Sequence, residues 1–344
     1  MPYRCSFKPL LATQVNLKLG TRNLKLVCEM PLKEEQLIAR IRRNAVRPSP
    51  GVGIGDDCAV LRLRTGEEAL VTTDFSLEGV HFRREWHPAD AVGHRCLARG
   101  LSDIAAMGGT PRAAFLSLAL PEELSQSWVD QFMGGFLKLA KRYSVPLAGG
   151  DTAQSPDGIL ADIVVLGSVP AGKVVLRSGA RPGDLIYVTG TLGAAMADLE
   201  QLRAGKKLRP QSHRKHFYPE PRVAVGEFLQ EKKLVSAMID ISDGLSTDLS
   251  HICEESRVGA VIHEDGIPAG VRGKDALRFA LHGGDEYELL FTASPERLVP
   301  KQVAGVPITR IGEIVRGRQI KLTLRNGNRE ILRPGGWEHF KNSG

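Results

Sequence analysis

Residues 88–120 read PADAVGHRCLARGLSDIAAMGGTPRAAFLSLAL, a pattern that predicts a helix followed by a strand. Proline is tolerated in the first turn of a helix, so Pro88 marks the start of a helix that runs to about Met107. Gly108 and Gly109 end this helix, and residues 112–120 then predict a strand. A helix that leads directly into a strand indicates a layered structure of helices packed on sheets.

The same alternation continues on both sides of this unit. Upstream and downstream, helices are predicted over 32–43 and 124–143, and strands over 59–63, 69–73, 145–148 and 160–168. A stretch rich in Gly, Pro and basic residues follows at 170–183 and marks a plausible boundary. After it, helices are predicted over 193–203, over about 220–232 and from near Leu245. Strands are predicted over 184–189, 236–241, 258–263, 286–293, 307–313 and 319–324. Segment 204–217 predicts a polar, basic loop.

This order of elements predicts an α/β (α+β) fold with two domains. We expect an N-terminal domain over 31–170 and a C-terminal domain over 171–344. Residues 1–30 are expected to be an extension, either disordered or translated from a start codon assigned too early, because they are basic and poor in acidic residues.

Length and composition exclude several classes of protein. A chain of 344 residues with 42% hydrophobic and 25% charged residues is typical of soluble globular proteins, and we find no run of about 18 apolar residues that would cross a membrane. The net charge is +7, but residues 1–30 contribute +4 of it, so a nucleic-acid-binding protein is disfavoured. The 5 cysteines form no C-x-x-C pair, which favours free thiols in a reducing cytoplasm.

Aspartates recur where predicted strands end or where glycines stand. A single such Asp usually caps a helix or shapes a turn, but six motifs of this kind in one chain exceed what turns require. The motifs are Gly55-Asp56-Asp57, Thr72-Thr73-Asp74, Leu101-Ser102-Asp103, Gly149-Gly150-Asp151-Thr152, Asp240-Ile241-Ser242-Asp243-Gly244 and Gly283-Gly284-Asp285-Glu286.

Carboxylates gathered in one cleft need cations to neutralise them. Hard oxygen ligands without a thiolate or imidazole cluster favour Mg²⁺, which commonly shares its coordination shell with substrate phosphates. The sequence therefore predicts magnesium–nucleotide chemistry. It lacks the P-loop motif and the H-R-D and D-F-G motifs of protein kinases, and Gly51, Gly53 and Gly55 do not have dinucleotide-loop spacing.

Three local patterns leave alternatives open. Asp240 and Asp243 are placed to share a metal across a strand-to-helix turn, and Ser242 is placed to contact a phosphate. The structural alternative is helix capping by Ser242 or Asp243, which is compatible with these roles. Arg177 offers a guanidinium that matches phosphate oxygens. His81 is equally compatible with a structural and a functional role.

Taken in order, the motifs resemble the thiamine-monophosphate kinase family. They are GIGDDCAV, TTDFSLEGVHF, LSDIAAMG, GGDT, RSGARPGDLIYVTG, DISDGL and GGDEYEL, and they run from about residue 34 to GWEHF at 336–340. The resemblance implies the two-domain fold of aminoimidazole ribonucleotide synthetase, with an N-terminal domain that dimerises through its sheet. It also implies transfer of a phosphoryl group from ATP to thiamine monophosphate, which yields thiamine diphosphate in the last step of its biosynthesis.

The resemblance also implies roles for individual residues. The implied magnesium ligands are Asp57, Thr72, Thr73, Asp74, Asp103, Asp151, Asp240 and Asp243, with Asp56 beside them. The implied ATP contacts are Gly150, Asp151, Arg177 and Ser242. His81, Asp285 and Trp337 are implied to line the thiamine-phosphate site.

The attacking group in this reaction is the phosphate of the substrate, which is largely dianionic at neutral pH because its second pKa is about 6. We therefore expect direct in-line transfer without a general base or a phospho-enzyme. The alternatives are another member of the same superfamily, such as aminoimidazole ribonucleotide synthetase, a basic nucleic-acid-binding protein, and an inactive regulatory homologue. The expected partners are small molecules and a second copy of the chain, with no nucleic acid and no membrane.

Overall fold

The computed structural model describes residues 51–52, 59–62 and 66–340. The extension over 1–30, the helix predicted over 32–43, and the predicted ligands Asp56 and Asp57 lie outside the described residues.

The N-terminal part is built on a mixed sheet. Its strands are β1 (Gly51–Val52), β2 (Ala59–Arg62), β3 (Glu67–Leu77), β4 (Thr110–Pro121), β5 (Leu147–Ser155) and β6 (Leu160–Pro170). They are arranged in the order β1-β2-β3-β6-β4-β5. All neighbours are antiparallel except β4 and β5, which are parallel. Helix α1 (Ala89–Ala106) precedes β4, and α2 (Gln126–Arg142) joins β4 to β5.

The C-terminal part has a second, larger sheet. Its strands are β7 (Leu185–Thr189), β8 (Ala237–Asp240), β9 (Gly259–His263), β10 (Leu289–Ala293), β11 (Gln302–Val303), β12 (Val306–Val315), β13 (Ile320–Thr323) and β14 (Arg329–Ile331). The order is β14-β13-β9-β12-β7-β10-β8, with β11 paired to β12. The helices are α3 (Ala194–Arg203), α4 (Arg214–Phe217), α5 (Val223–Glu231), α6 (Leu245–Ser256) and α7 (Ala276–His282).

Helix α1 lies between the two sheets. It contacts β3, β4 and β6 of the first sheet and β8 of the second, and it packs against α2 and α5. Nearly all of its residues are buried, including the polar His94, Arg95 and Ser102. The largest apolar core is continuous across this helix, since it contains Leu97 and Ile163 of the N-terminal part together with Phe291 of the C-terminal part. Burial on every side sets α1 apart from an ordinary amphipathic surface helix.

Most predicted elements are confirmed, and the fold class is mixed α and β as expected. The structure differs from the predictions in three respects. The strand predicted from residue 286 begins at Leu289, because Asp285 and Tyr287 have positive φ angles of 59° and 50°. The prediction of a loop over 204–217 was partly wrong, since Arg214–Phe217 is helical and Phe217 is buried. Helix α7 and strands β11 and β14 were not predicted.

Two further sequence observations find support. In the part of the chain that the structure describes, Cys96 and Cys253 are free and buried, as expected of thiols that pack like small apolar residues. No described helix combines the length and the hydropathy needed to cross a bilayer.

Candidate active site

A group of oxygen ligands lies where β3 faces the C-terminal half of α1. Alternation along β3 directs Thr72 and Asp74 toward the helix and Thr73 to the opposite face of the sheet. Thr72 Oγ1 donates a hydrogen bond to Asp103 Oδ2, and Asp74 shares a side-chain hydrogen bond with the same carboxyl group. Thr73 Oγ1 instead donates to Asp162 Oδ1 at 2.8 Å. The structure thus unites Thr72, Asp74 and Asp103 and separates Thr73 from them.

A second acidic group lies where β8 passes into α6. Asp240 is the last residue of β8, and its Oδ2 accepts a hydrogen bond of 2.6 Å from Ser102 Oγ of α1. The backbone N–H groups of Asp243 and Gly244 donate to Asp248 Oδ2 at 3.3 and 2.9 Å. Gly244 has a φ of 122°, a conformation that favours glycine at this turn. The charges of Asp240 and Asp243 both act on Asp248, so the three aspartates form one acidic group.

Helix α1 connects these two groups. Ser102 bonds to Asp240 of the second sheet, and its neighbour Asp103 bonds to Thr72 of the first. Burial raises the pKa of Asp248 well above its usual range, and the nearby Asp243 and Asp240 raise it further. Burial likewise raises the pKa of Asp74, although Arg99 and Asp103 oppose this effect. The charge of Asp285 in the C-terminal part also raises the pKa of Asp74, so carboxylates of the two parts of the chain act on one another.

Two arginines of α1 hold Asp285. Arg95 Nη2 donates to Asp285 Oδ2 at 2.8 Å, and Arg99 Nη2 donates to Oδ1 at 3.3 Å. Tyr287 Oη also donates to Oδ1, at 2.6 Å. Burial alone would raise the pKa of Asp285, but the two guanidinium groups hold it well below its usual range. Asp285 is therefore a stable anion, and its two carboxylate oxygens orient the guanidinium groups of Arg95 and Arg99. Arg99 Nη1 also lies 4.0 Å from Asp74 Oδ1.

An aromatic group forms beside the acidic residues, where the C-terminal segment returns to the site. The backbone N–H of Trp337 donates to the carbonyl of Asp243 at 3.0 Å. The ring centroid of His339 lies 5.5 Å from those of both Trp337 and His81, edge-on to each. His81 Nδ1 accepts a hydrogen bond of 3.0 Å from the backbone N–H of Leu77, which leaves the proton of the neutral ring on Nε2. Burial, helped by Arg99, lowers the pKa of His81 to about 3.

The predicted ATP contacts are divided between two places. The carbonyl of Ser242 accepts a hydrogen bond of 2.7 Å from the backbone N–H of Asp285, and the charge of Arg177 acts on Asp248, so both belong to the second acidic group. Gly150 and Asp151 lie on β5, which β6 and β4 separate from β3. At about 4.8 Å per strand this separation is about 14 Å. Within one chain, therefore, Asp151 stands apart from Asp74 and Asp103.

The arrangement offers oxygen ligands but no closed metal cage. In residues 66–340, no three His, Cys, Asp or Glu side chains are grouped so as to hold a metal ion by themselves. The donors that do meet are carboxylates and a threonine hydroxyl, which suit a hard cation that keeps several waters. These residues therefore fit Mg²⁺ shared with substrate phosphates better than a metal bound by protein alone.

Four residues of the site were not predicted. They are Asp248, Arg95, Arg99 and His339, and none of them was assigned a role from the sequence. Arg95 and Arg99 are four residues apart and therefore lie on one face of the helix. This spacing is the signal in the sequence that could have identified them as a pair. His339 adjoins the predicted Trp337 in the sequence, but a lone histidine near a C-terminus carries little information.

The chain is similar to known proteins in sequence and in fold. Residues 55–169 match the family model "AIR synthase related protein, N-terminal domain", and residues 181–325 match the corresponding C-terminal domain. Thiamine-monophosphate kinase of Escherichia coli K12 is 37% identical, covering 90% of this chain and 99% of its own length. The Bacillus subtilis enzyme is 35% identical, covering 85% of this chain and 94% of its own length.

A solved structure described as AaThiL complexed with AMPPCP and TMP is similar as well. It has a TM-score of 0.79 and 33% sequence identity, and the match covers 89% of this chain and 97% of that one. Similarity over nearly the whole length in both sequence and structure places the chain firmly: it belongs to the thiamine-monophosphate kinase family of AIR synthase related proteins.

Proposed function

We propose that the protein phosphorylates thiamine monophosphate with ATP and releases thiamine diphosphate and ADP. The observation that carries the proposal is the position of Ser102 and Asp103, consecutive residues of α1 that bond to Asp240 and Thr72 from opposite sheets. Helix α1 thereby links acidic residues of the two parts of the chain, and the charge of Asp285 in the C-terminal part acts on Asp74 in the N-terminal part. A donor and an acceptor that both carry phosphates need a place of this kind, where cations offset their mutual repulsion.

Among the described residues, we propose Thr72, Asp74, Asp103, Asp240 and Asp243 as ligands of magnesium ions. Thr73 and Asp151 are proposed ligands on the other face of the first sheet, and Asp57 is proposed from the sequence. Bound magnesium would neutralise the phosphates and polarise the transferred group. The chain itself holds these oxygens in place, since Ser102 fixes the orientation of Asp240. Outer residues that orient ligands commonly change metal affinity by about 10–100-fold.

The phosphates of ATP are proposed to lie against Ser242 and Arg177 in the second acidic group, with Gly150 as a further contact. Arg177 acts on Asp248 in this group. A guanidinium next to a cluster of carboxylates balances their charge and offers N–H donors to a phosphate. A related structure supports the choice of nucleotide, since it was solved with AMPPCP and TMP together.

The aromatic group formed by His81, Trp337 and His339 is the proposed site for the thiamine moiety. The Trp337 side chain is 47% exposed, so one of its faces is available to a ligand. A cationic thiazolium stacks favourably on such a ring. His81 stays neutral near pH 7 because its pKa is about 3, so it does not add a repelling charge. Asp285 would act at this site together with the arginines that it orients.

We infer that the phosphoryl group passes directly between substrates. His81, with its pKa of about 3, would be a weak base at neutral pH. The attacking phosphate needs no base, because it is already largely dianionic. The enzyme therefore has to align the reactants and offset their charge. Transfer of a chiral, isotope-labelled phosphoryl group should proceed with inversion at phosphorus, and retention would contradict direct transfer.

We also propose that two chains associate through the outer face of the first sheet. Phe75, Leu77 and Phe115 point to this face and are 57%, 37% and 38% exposed. Exposed apolar side chains on one sheet face favour association. Thr73 and Asp151 share the face, so dimerisation would bring their oxygens into the interface. The free, buried thiols of Cys96 and Cys253 are compatible with the proposed location in the cytoplasm.

The decisive experiment mixes the purified full chain with magnesium, ATP and thiamine monophosphate and measures thiamine diphosphate by chromatography. We expect turnover in the wild type and a loss of at least about 100-fold in Asp243→Asn, because the variant removes a charged ligand. Asp275→Asn is the matched control, since Asp275 is a half-buried aspartate outside the proposed site that pairs locally with Arg278 at 3.4 Å. Absence of product from the wild type would refute the proposed reaction, and full activity of Asp243→Asn would refute the ligand assignment.

A further inference from the structure

A basic cavity lies on the C-terminal sheet and includes none of the residues of the candidate active site. Its volume is about 390 Å³, and four of its lining residues are the cations Arg316, Arg318, Lys321 and Arg329. The rest of the lining is uncharged and includes Val261. A volume of this size is in the range of pockets that bind small ligands.

The fold brings these cations together from two neighbouring strands and one turn. Residues 316–319 form the turn between β12 and β13, and Gly317 there has a φ of 104°, which favours glycine. In β13, Ile320 and Leu322 are buried, so Lys321 points to the opposite face of the sheet. Lys321 pairs in register with Val261 of β9 and with Ile331 of β14, the strand that begins at Arg329.

The four cations have no anionic partner in the described part of the chain, where no ion pair or side-chain hydrogen bond involves them. Arg325, on the next turn, differs because it pairs with Glu264 at 3.4 Å and Asp265 at 2.9 Å. Residues 310–333 contain seven basic and two acidic residues, so this short segment supplies +5 of the net charge of +7.

The acidic residues of this segment do not balance the cavity. Glu313 pairs in register with Val261, and Glu330 pairs with Leu322, whose side chain points into the core. Neither residue lines the cavity. Like charges that face each other across strands repel and destabilise the fold. The four cations around this cavity therefore repel one another, and a bound anion would offset that repulsion.

We propose that this cavity binds a compact, multiply charged phosphate anion, with inorganic triphosphate as its simplest representative. Arginine and lysine together suit phosphate oxygens. The lining residues include no aromatic side chain on which a base would stack, so recognition would rest on the phosphates. The concave shape favours a compact ligand over the extended backbone of a nucleic acid. The proposal does not depend on the kinase activity.

The test measures binding of inorganic triphosphate to the full chain by calorimetry, at low ionic strength and without divalent cations. We expect Arg318→Gln/Lys321→Gln to weaken binding at least about tenfold, because two charge-assisted contacts are lost. The matched control Arg325→Gln removes the same kind of charge from a paired residue and should bind like the wild type. Asp243→Asn should also retain binding, because the cavity does not include the active site.

Three results would overturn the proposal: no binding of triphosphate to the wild type, equal weakening by Arg325→Gln, or loss of binding in Asp243→Asn. The last result would locate the anion in the active site. A short DNA duplex serves as a second probe. If it bound more tightly than triphosphate with the same dependence on Arg318 and Lys321, a nucleic-acid surface would replace the compact anion site. Kinase turnover of the double variant should equal that of the wild type, which confirms an intact fold.

Discussion

Replacement of Ser102 by alanine tests whether α1 organises the site. Ser102 Oγ is buried and donates a hydrogen bond of 2.6 Å to Asp240 Oδ2, which links the helix to the second sheet. A hydrogen bond to a charged group contributes about 1.5–3 kcal/mol, and its loss would leave a buried carboxylate without one of its donors. We therefore expect Ser102→Ala to lower the free energy of unfolding by about 1.5–3 kcal/mol.

The same substitution should weaken magnesium binding. Asp240 is a proposed ligand, and residues that orient ligands commonly change metal affinity by about 10–100-fold. The concentration of magnesium that half-saturates turnover should therefore rise by about that factor in Ser102→Ala. Turnover at saturating magnesium should change much less, because all the proposed ligands remain.

Ser250→Ala is the matched control for this experiment. Ser250 is also a buried serine, but its Oγ donates at 2.7 Å to the backbone carbonyl of Thr247 within α6. We expect that variant to lose about 1 kcal/mol of stability and to keep the wild-type magnesium dependence. Unfolding in urea and magnesium titrations of the kinase assay provide the two measurements. An unchanged magnesium dependence in Ser102→Ala, or an equal shift in Ser250→Ala, would refute the role assigned to α1.

Three further predictions concern other regions. Burial raises the pKa of Glu286 to about 7, so wild-type stability should fall as pH rises from about 4.5 through 7. This loss of unfolding free energy, roughly 3 kcal/mol, should disappear in Glu286→Gln, because the glutamine side chain does not ionise. Its amide oxygen can still accept hydrogen bonds from the backbone N–H groups of Gly193 and Ala195. Unfolding at several pH values measures the difference. Trp337→Ala should raise the KM for thiamine monophosphate about tenfold with little change in kcat or in unfolding, since the ring is half exposed; steady-state kinetics distinguish these effects. Phe75→Asp should shift sedimentation toward the monomer if the outer face of the first sheet is the dimer interface.

Local patterns were sufficient to predict most of the fold. The helix predicted from Pro88 to about Met107 is observed over Ala89–Ala106, because proline and glycine mark its ends. Helix α4 was missed because its stability depends on distant contacts. His216 Nε2 lies 3.0 Å from His87 Nε2, and the segment 204–217 that contains α4 has no apolar period of its own. Such contacts between distant parts of the chain leave no local signal.

The candidate site was predicted less completely than the fold. The resemblance grouped Thr72, Asp74, Asp103 and Asp243 as ligands, and hydrogen bonds join the first two of these residues to Asp103. It did not reveal that Asp151 stands apart, because the order of strands in a sheet cannot be inferred from their order in the chain. The partners of an aspartate are hidden in the same way, which is why the arginines that bind Asp285 were overlooked.

The polar residues of α1 explain why a pattern-based interpretation fails where the site lies. Helical periodicity assigns polar positions such as Arg95 and Ser102 to the solvent-exposed face that most helices have. A helix between two sheets has no such face, so each polar side chain must find a partner inside the protein. Arg95 donates a hydrogen bond to Asp285, and Ser102 donates one to Asp240; both acceptors lie in the C-terminal part of the chain. The residues that make α1 costly to bury are therefore the ones that join the two halves of the site, and a polar residue on a fully buried helix is itself a signal of function.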